Sequence, residues 1–177
     1  MRIISGKYKG RRILENKKFN ARPTTDFAKE SLFNILNNYF FFDQIKVLDL
    51  FAGTGSIGFE FASRGCSSID MIEIDFKNFK LISEAIKILD LNVIRLKKGD
   101  AFRFIDTCKS GYDVIFADPP YDMEGIENIP EKIFLRNLLT ENGWLILEHS
   151  KFYHFKNNKY FREERVYGNI HFSIFSK

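Results

Sequence analysis

Strand-like and helix-like segments alternate along the middle of this chain, and the alternation limits the folds that it can adopt. Five segments rich in apolar residues have the length of buried strands, at residues 45–51, 68–74, 92–96, 112–117 and 143–148. Four segments between them have apolar side chains at helical spacing, at residues 56–64, 76–89, 101–108 and 129–139. Repeated strand–helix units predict an α/β fold with a doubly wound, mostly parallel sheet covered by helices on both faces.

The start of the chain has a different pattern. Two short strands are predicted there, at residues 2–5 and 9–14, and they form a small β-hairpin. A helix is predicted over residues 25–40, with Thr24 or Thr25 as its N-terminal cap. We therefore expect a β-hairpin and helix extension before the alternating core.

The end of the chain also departs from the alternation. Residues 160–166 and 170–175 are strand-like around Tyr167-Gly168-Asn169, which is typical of a hairpin turn. The parallel sheet should therefore end in an antiparallel hairpin. We divide the chain into an extension over residues 1–40 and a core over residues 41–177, which together form one compact domain.

Positive charge is concentrated at the start of the chain. The whole protein has a formal net charge of +4. The first 30 residues contain nine basic and three acidic side chains, a net charge of +6, which leaves −2 for the other 147 residues. A basic arm on a nearly neutral body indicates a polyanionic partner such as RNA, although a solvated basic surface explains the charge equally well.

The sequence has no pattern typical of a membrane span, a secretory leader or a metal site. No apolar run approaches the roughly 20 residues that a span needs, and the first residues lack an apolar core with a cleavage site. Cys66 and Cys108 match no zinc or redox spacing, and the three histidines have no ligand pattern. We therefore expect a cytoplasmic protein with reduced cysteines and no metal.

The tetrapeptide Asp118-Pro119-Pro120-Tyr121 follows the apolar run at residues 112–117 directly. Prolines stop a strand and fix a bend. An acid and a proline carbonyl can together accept two hydrogen bonds from one amine, and a tyrosine ring can stack on a base. The motif therefore suits a planar substrate with an amino group, and the alternative is a rigid turn at a strand end.

A glycine-rich segment, Gly53-Thr54-Gly55-Ser56-Ile57-Gly58, joins the first core strand to the first core helix, and Glu73 follows 20 residues after Gly53. This spacing matches the dinucleotide fingerprint, so an NAD-dependent dehydrogenase is one interpretation. Asp49 argues against it, because a carboxylate in this strand is expected to face a positive charge on the ligand and not a negatively charged pyrophosphate. A carboxylate there suits the positive charges of S-adenosylmethionine instead.

Four acids, namely Asp49, Glu73, Asp100 and Asp118, lie at the ends of four predicted strands. Because the carboxyl ends of parallel strands meet at one edge of a sheet, the four side chains should line one crevice. We expect Glu73 to bind the ribose hydroxyls of S-adenosylmethionine, and Asp100 its adenine amine. The alternative, that each acid is only a cap or a turn residue, becomes improbable when all four fall at strand ends in order.

The chain resembles the RsmD family, the bacterial enzymes that methylate N2 of a guanine in 16S rRNA. The resemblance covers most of the chain and is carried by Arg2-Ile3-Ile4-Ser5-Gly6-Lys7-Tyr8-Lys9-Gly10-Arg11-Arg12, Arg22-Pro23-Thr24-Thr25-Asp26, Leu32-Phe33-Asn34, Leu48-Asp49-Leu50-Phe51-Ala52-Gly53-Thr54-Gly55-Ser56, Ser63-Arg64-Gly65 and Asp118-Pro119-Pro120-Tyr121. Two departures from the family pattern are a missing second acid after Glu148 and a short connection after Tyr121.

The resemblance implies a Rossmann-like class I methyltransferase that acts on small-subunit rRNA, free or within a 30S particle, as a monomer. The implied catalytic residues are Asp118, Pro119 and Tyr121. The implied cofactor-binding residues are Asp49, Phe51, Ala52, Gly53, Thr54, Gly55, Glu73, Ile74, Asp100, Ala101 and Thr24. The implied RNA-binding residues are Arg2, Lys7, Lys9, Arg11, Arg12 and Arg22. Two alternatives stay open: an adenine-N6 methyltransferase acting on DNA or RNA, and a catalytically silent RNA-binding assembly factor.

Overall fold

The computed structural model of the protein describes residues 2–13 and 24–177. Its strands are β1 (Lys46–Asp49), β2 (Ser68–Glu73), β3 (Ile94–Lys98), β4 (Tyr112–Ala117), β5 (Leu139–His149), β6 (Phe161–Tyr167) and β7 (Ile170–Phe175). Its α-helices are α1 (Asp26–Leu36), α2 (Ser56–Ser63), α3 (Phe76–Ile88), α4 (Ala101–Thr107) and α5 (Ile129–Leu135). Two short 3₁₀ turns lie at Phe42–Gln44 and Ile126–Asn128.

The seven strands form one sheet in the order β3-β2-β1-β4-β5-β7-β6. Neighbouring strands are parallel from β3 to β5, whereas β7 runs antiparallel to both β5 and β6. The predicted doubly wound sheet with a terminal antiparallel hairpin is therefore confirmed. The strand order reverses between β1 and β4, and ligands of open α/β sheets bind at such a switch point.

Helices cover both faces of the sheet, and alternate side chains of each strand enter two separate cores. In β4, Val114 and Phe116 pack on the face covered by α1, α2 and α3. Ile115 and Ala117 pack on the other face, with α4 and α5. Burial on both faces explains why the central strand β4 is apolar at four consecutive positions, residues 114–117.

The N-terminal arm, residues 2–13, forms a shorter hairpin than predicted. Its two sides pair through an antiparallel bridge between Arg2 and Arg12, and through backbone hydrogen bonds from Ile3 N–H to the Arg11 carbonyl and from Gly10 N–H to the Ile3 carbonyl, at 3.0 and 2.9 Å. The backbone N–H groups of Ile4 and Ser5 donate instead to the Glu60 carboxyl on α2, at 2.8 and 3.0 Å. At Ile4 and Ser5, a tertiary partner on α2 thus replaces the strand partners that the prediction assumed. Leu14, the last residue of the second predicted strand, lies outside the described residues.

Two predicted helix ends are wrong. Helix α1 ends at Leu36 instead of residue 40, and Phe40 packs against Trp144 with ring centroids 5.3 Å apart. Helix α5 ends at Leu135 instead of residue 139, because Asn137 adopts a left-handed conformation with φ of 51°. Strand β5 consequently begins at Leu139, four residues before the predicted start at residue 143.

Candidate active site

A cavity of about 570 Å³ opens at the carboxyl edge of the sheet, beside the switch point. This volume is typical of a site for a small-molecule ligand. All but one of the predicted cofactor-binding residues line it: Thr24, Asp49, Phe51, Ala52, Gly53, Thr54, Glu73, Ile74, Asp100 and Ala101. The three predicted catalytic residues line it as well: Asp118, Pro119 and Tyr121. The structure therefore brings both predicted sets into one crevice.

Gly55 is the predicted cofactor-binding residue that does not line the cavity. It precedes α2 with φ of 78°, a conformation that favours glycine. A Cβ atom at this position would lie 2.6 Å from the Phe59 ring. Gly55 therefore shapes the turn into α2, whereas Gly53, two residues earlier, lines the cavity.

Glu73 fastens the glycine loop to the end of β2. Its Oε2 accepts a hydrogen bond from the Gly53 backbone N–H at 2.6 Å, and its Oε1 accepts from the Asp75 N–H at 2.7 Å. Burial raises the pKa of Glu73, and these backbone bonds oppose the rise. The Glu73 carboxyl therefore holds the glycine loop in place and also lines the cavity.

Asp100 combines a place in the cavity wall with a structural role. It is the N-terminal cap of α4, and its side chain accepts from the Arg103 N–H at 2.8 Å. The capping role that we weighed as an alternative is thus present. Contact with an adenine amine stays a prediction for this residue, since a carboxylate has further acceptor positions.

Asp49 is a buried carboxyl with an unused acceptor atom. It is only 1% exposed at the end of β1. Its Oδ2 accepts from the Gly58 N–H at 3.3 Å, whereas Oδ1 has no hydrogen-bond partner among the residues that the structure describes. Burial raises the pKa of Asp49 to about 7, and the nearby Glu73 charge adds to the rise. A cationic ligand would satisfy this oxygen and neutralise the charge.

Asp118 follows β4 directly and is half-buried at the cavity wall. Burial raises its pKa well above the ordinary value, and the negative charges of Glu148 and Asp49 raise it further. Carboxyls from three neighbouring strands therefore repel one another here. Such crowding of like charges is typical of a site that receives a hydrogen-bond donor or a cation.

Glu148 is a buried acid of this site that the sequence analysis did not include among the site residues. It is 2% exposed on β5, and its Oε2 accepts from the Thr24 hydroxyl at 2.8 Å. It also accepts a hydrogen bond from the side chain of Tyr121, and burial raises its pKa to about 7. The available signal was one acid at the end of the otherwise apolar segment at residues 143–148. Tyr121 itself is 48% exposed at the cavity mouth.

The basic arm presents its cations to solvent. Every described member of the predicted RNA-binding set is exposed: Arg2, Lys7, Lys9, Arg11 and Arg12. Buried Ile3 and Tyr8 attach the arm to the main core. Arg22, the sixth predicted member, lies outside the described residues.

The described ranges contain no group of three or more His, Cys, Asp and Glu side chains arranged to hold a metal ion. They also contain no helix that is long and apolar enough to cross a membrane.

Comparison with known proteins identifies the family. The family model described as Conserved hypothetical protein 95 matches residues 1–176. Ribosomal RNA small subunit methyltransferase D of Buchnera aphidicola subsp. Baizongia pistaciae is 30% identical over 182 residues, covering 99% of this chain and 91% of that protein. The Escherichia coli K12 protein of the same name is 33% identical over 145 residues, covering 82% and 69%. This chain belongs to the RsmD family.

A solved structure has the same fold along the whole chain. The yhhF protein of Escherichia coli matches with a TM-score of 0.86 and 25% identity, covering 100% of this chain and 97% of that one. The protein therefore has the Rossmann-like fold expected of the RsmD family. Membership of a methyltransferase family also argues against the dehydrogenase interpretation of the glycine loop.

Proposed function

We propose that this protein transfers a methyl group from S-adenosylmethionine to the exocyclic N2 amine of a guanine in small-subunit rRNA. One observation carries the proposal: the Asp118–Tyr121 motif and the acid-lined glycine loop share a single cavity. The RsmD relatives support rRNA as the substrate class, because their names state small-subunit rRNA methyl transfer.

The residues of the cavity fit S-adenosylmethionine. This molecule supplies, when bound, an electrophilic methyl group on a positively charged sulfur. Asp49, with its unpartnered Oδ1, would accept from the ammonium group. Glu73 would bind the ribose hydroxyls, and Asp100 would accept from the adenine amine. A bound cation would lower the raised pKa values of the cavity carboxyls, so binding is coupled to their ionisation.

The target amine would be held by two acceptors, the Asp118 carboxyl and the Pro119 carbonyl oxygen. These hydrogen bonds favour a tetrahedral nitrogen with an available lone pair. Because the amine becomes cationic as it is methylated, both bonds strengthen toward the transition state. The raised pKa of Asp118 suits it to take up the proton that the amine then loses. Stacking on Tyr121 would contribute about 1–3 kcal/mol to holding the base.

RNA would be held by the exposed arm. Its cations can contact phosphates, which positions the RNA without reading its sequence. The target base has to leave its stack to reach Asp118 in the cavity wall. A flexible or single-stranded guanine is therefore the expected target.

The test is methyl transfer from labelled S-adenosylmethionine to unmodified small-subunit RNA, as free RNA and as 30S particles. We expect Asp118→Asn to lower the rate by about 10²- to 10³-fold. Its affinity for S-adenosylhomocysteine, measured by calorimetry, should change only a few-fold. Asp122→Asn is the matched control, since Asp122 is exposed and lies outside the cavity lining. Full activity of Asp118→Asn on both substrates would show that the catalytic assignment is wrong.

A further inference from the structure

We propose that Glu148 selects guanine over adenine by accepting the N1–H of the target base, beside the N2 amine held by Asp118. This inference rests on the proposed function and names its specificity determinant.

The two carboxyls lie side by side because their strands are in register. In the parallel β4–β5 pair, Ala117 lies opposite Leu147, so Asp118 and Glu148 each follow by one residue. Neighbouring strands are about 4.8 Å apart. A base whose amine is bound by Asp118 can therefore be oriented so that the ring position next to the amine points toward Glu148.

The donor pattern of guanine matches two neighbouring acceptors. Guanine presents its N1–H directly beside its N2 amine, so both positions are donors. Adenine presents an acceptor, N1, beside its N6 amine. An ionised Glu148 would complement the guanine edge, whereas adenine would place two acceptors against each other. Sites built to hydrogen-bond one group reject an analogue that lacks it, because a buried polar group is left unpaired.

Glu148 already receives hydrogen bonds in the ligand-free protein. Thr24 donates from its hydroxyl at 2.8 Å, and the Tyr121 side chain forms the second bond. Both donors line the cavity, while Glu148 lies behind them and is 2% exposed. The Glu148 carboxyl is thus an acceptor, and the hydroxyl groups of Thr24 and Tyr121 lie between it and the cavity.

Tyr121 is the group that the base would displace. Its side chain is 48% exposed, so turning the ring outward costs little buried surface. The movement breaks one hydrogen bond to Glu148, which the N1–H of guanine replaces. The released ring is then free to stack on the base. Adenine cannot replace this bond, so it would leave Glu148 without its second donor.

The test compares two RNAs that differ only at the mapped target nucleotide. One carries guanosine, and the other carries 2-aminopurine riboside, which keeps the N2 amine but has an acceptor at N1. We expect the wild-type protein to favour guanosine in kcat/KM by about 10- to 100-fold. Glu148→Gln should reduce this ratio at least about 10-fold, because a glutamine amide can donate to the N1 acceptor.

The ratio is measured within one protein, so a smaller folded fraction of Glu148→Gln cancels. Glu141→Gln is the matched control, because Glu141 is exposed near the opposite end of β5. It should keep the wild-type ratio. Tyr121→Phe should also keep it, since Glu148 is still present.

Two outcomes would overturn the inference. If Glu148→Gln slows both RNAs equally, Glu148 only positions Thr24 and Tyr121. If the wild-type protein methylates guanine N2 but accepts 2-aminopurine as readily, N1–H is not recognised, and the proposed function still stands. A wild-type product methylated at adenine N6 would overturn the proposed function itself.

Discussion

Asp49→Asn tests whether the protein keeps a buried charge at a cost to its own stability. Asparagine has the shape of aspartate but no charge. In the ligand-free protein the Asp49 Oδ1 has no partner among the described residues, and burial raises the pKa of this group to about 7. The variant should therefore be more stable than the wild-type protein, and its advantage should grow with pH.

The magnitude follows from the shift in pKa between the unfolded value of 3.8 and the folded value of about 7. Because the folded pKa is raised, the stability contribution of Asp49 is fully present below pH 3.8 and is lost as pH rises through about 7. Each pH unit in this window costs about 1.4 kcal/mol. The advantage of Asp49→Asn over the wild-type protein should therefore grow by about 4 kcal/mol in total.

The assay is urea unfolding of both proteins at several pH values between 4 and 8. Effects that do not depend on pH, such as an altered hydrogen bond to Gly58, cancel when the difference between the two proteins is followed across pH. S-adenosylhomocysteine at 100 times its dissociation constant should stabilise the wild-type protein by about 2.7 kcal/mol, and Asp49→Asn much less at the same concentration. The reasoning would be refuted if the difference in free energy of unfolding between the two proteins stayed constant with pH, or if the variant became the less stable protein as pH rises. Asp43→Asn, at an exposed site, is the control.

The arm gives two further predictions. Gly6→Ala should destabilise the protein more than Gly10→Ala in urea unfolding, by about 2 kcal/mol. Both glycines have φ of 81°, so the backbone strain is matched. A Cβ at Gly6 would lie 1.9 Å from the Ser63 carbonyl oxygen, whereas a Cβ at Gly10 would meet nothing within 4 Å. Equal losses would contradict the docked arm. Replacing Lys9 and Arg11 together with alanine should weaken RNA binding and reduce the slope of log affinity against log salt by about 0.7–0.9 per cation. Fluorescence anisotropy across a salt series measures that slope, and an unchanged slope would place the RNA elsewhere.

Much of the fold and the cavity could be predicted because the decisive patterns are local. A strand buried on both faces has consecutive apolar residues, as at residues 114–117, and Pro119 and Pro120 mark the end of this strand. The carboxyl ends of parallel strands meet at one edge of the sheet. The shared location of Asp49, Glu73 and Asp118 could therefore be predicted from the sequence.

Features that depend on distant partners could not be predicted. The hairpin predicted at residues 2–14 is shorter than expected because the buried Glu60 on α2, more than 50 residues away, takes the backbone N–H groups of Ile4 and Ser5. Glu148 accepts a hydrogen bond from Thr24, which lies 124 residues earlier in the chain. The early end of α5 reflects the left-handed Asn137, which the helical spacing around it does not reveal.

Identification of the methylated nucleoside tests the central claim most directly. Unmodified small-subunit RNA and 30S particles are incubated with labelled S-adenosylmethionine and the protein, then digested to nucleosides and analysed by mass spectrometry. Label in N2-methylguanosine, lost with Asp118→Asn and retained with Asp122→Asn, is the predicted result. Label in N6-methyladenosine, or no label in either substrate from a protein that binds S-adenosylhomocysteine, would contradict the account.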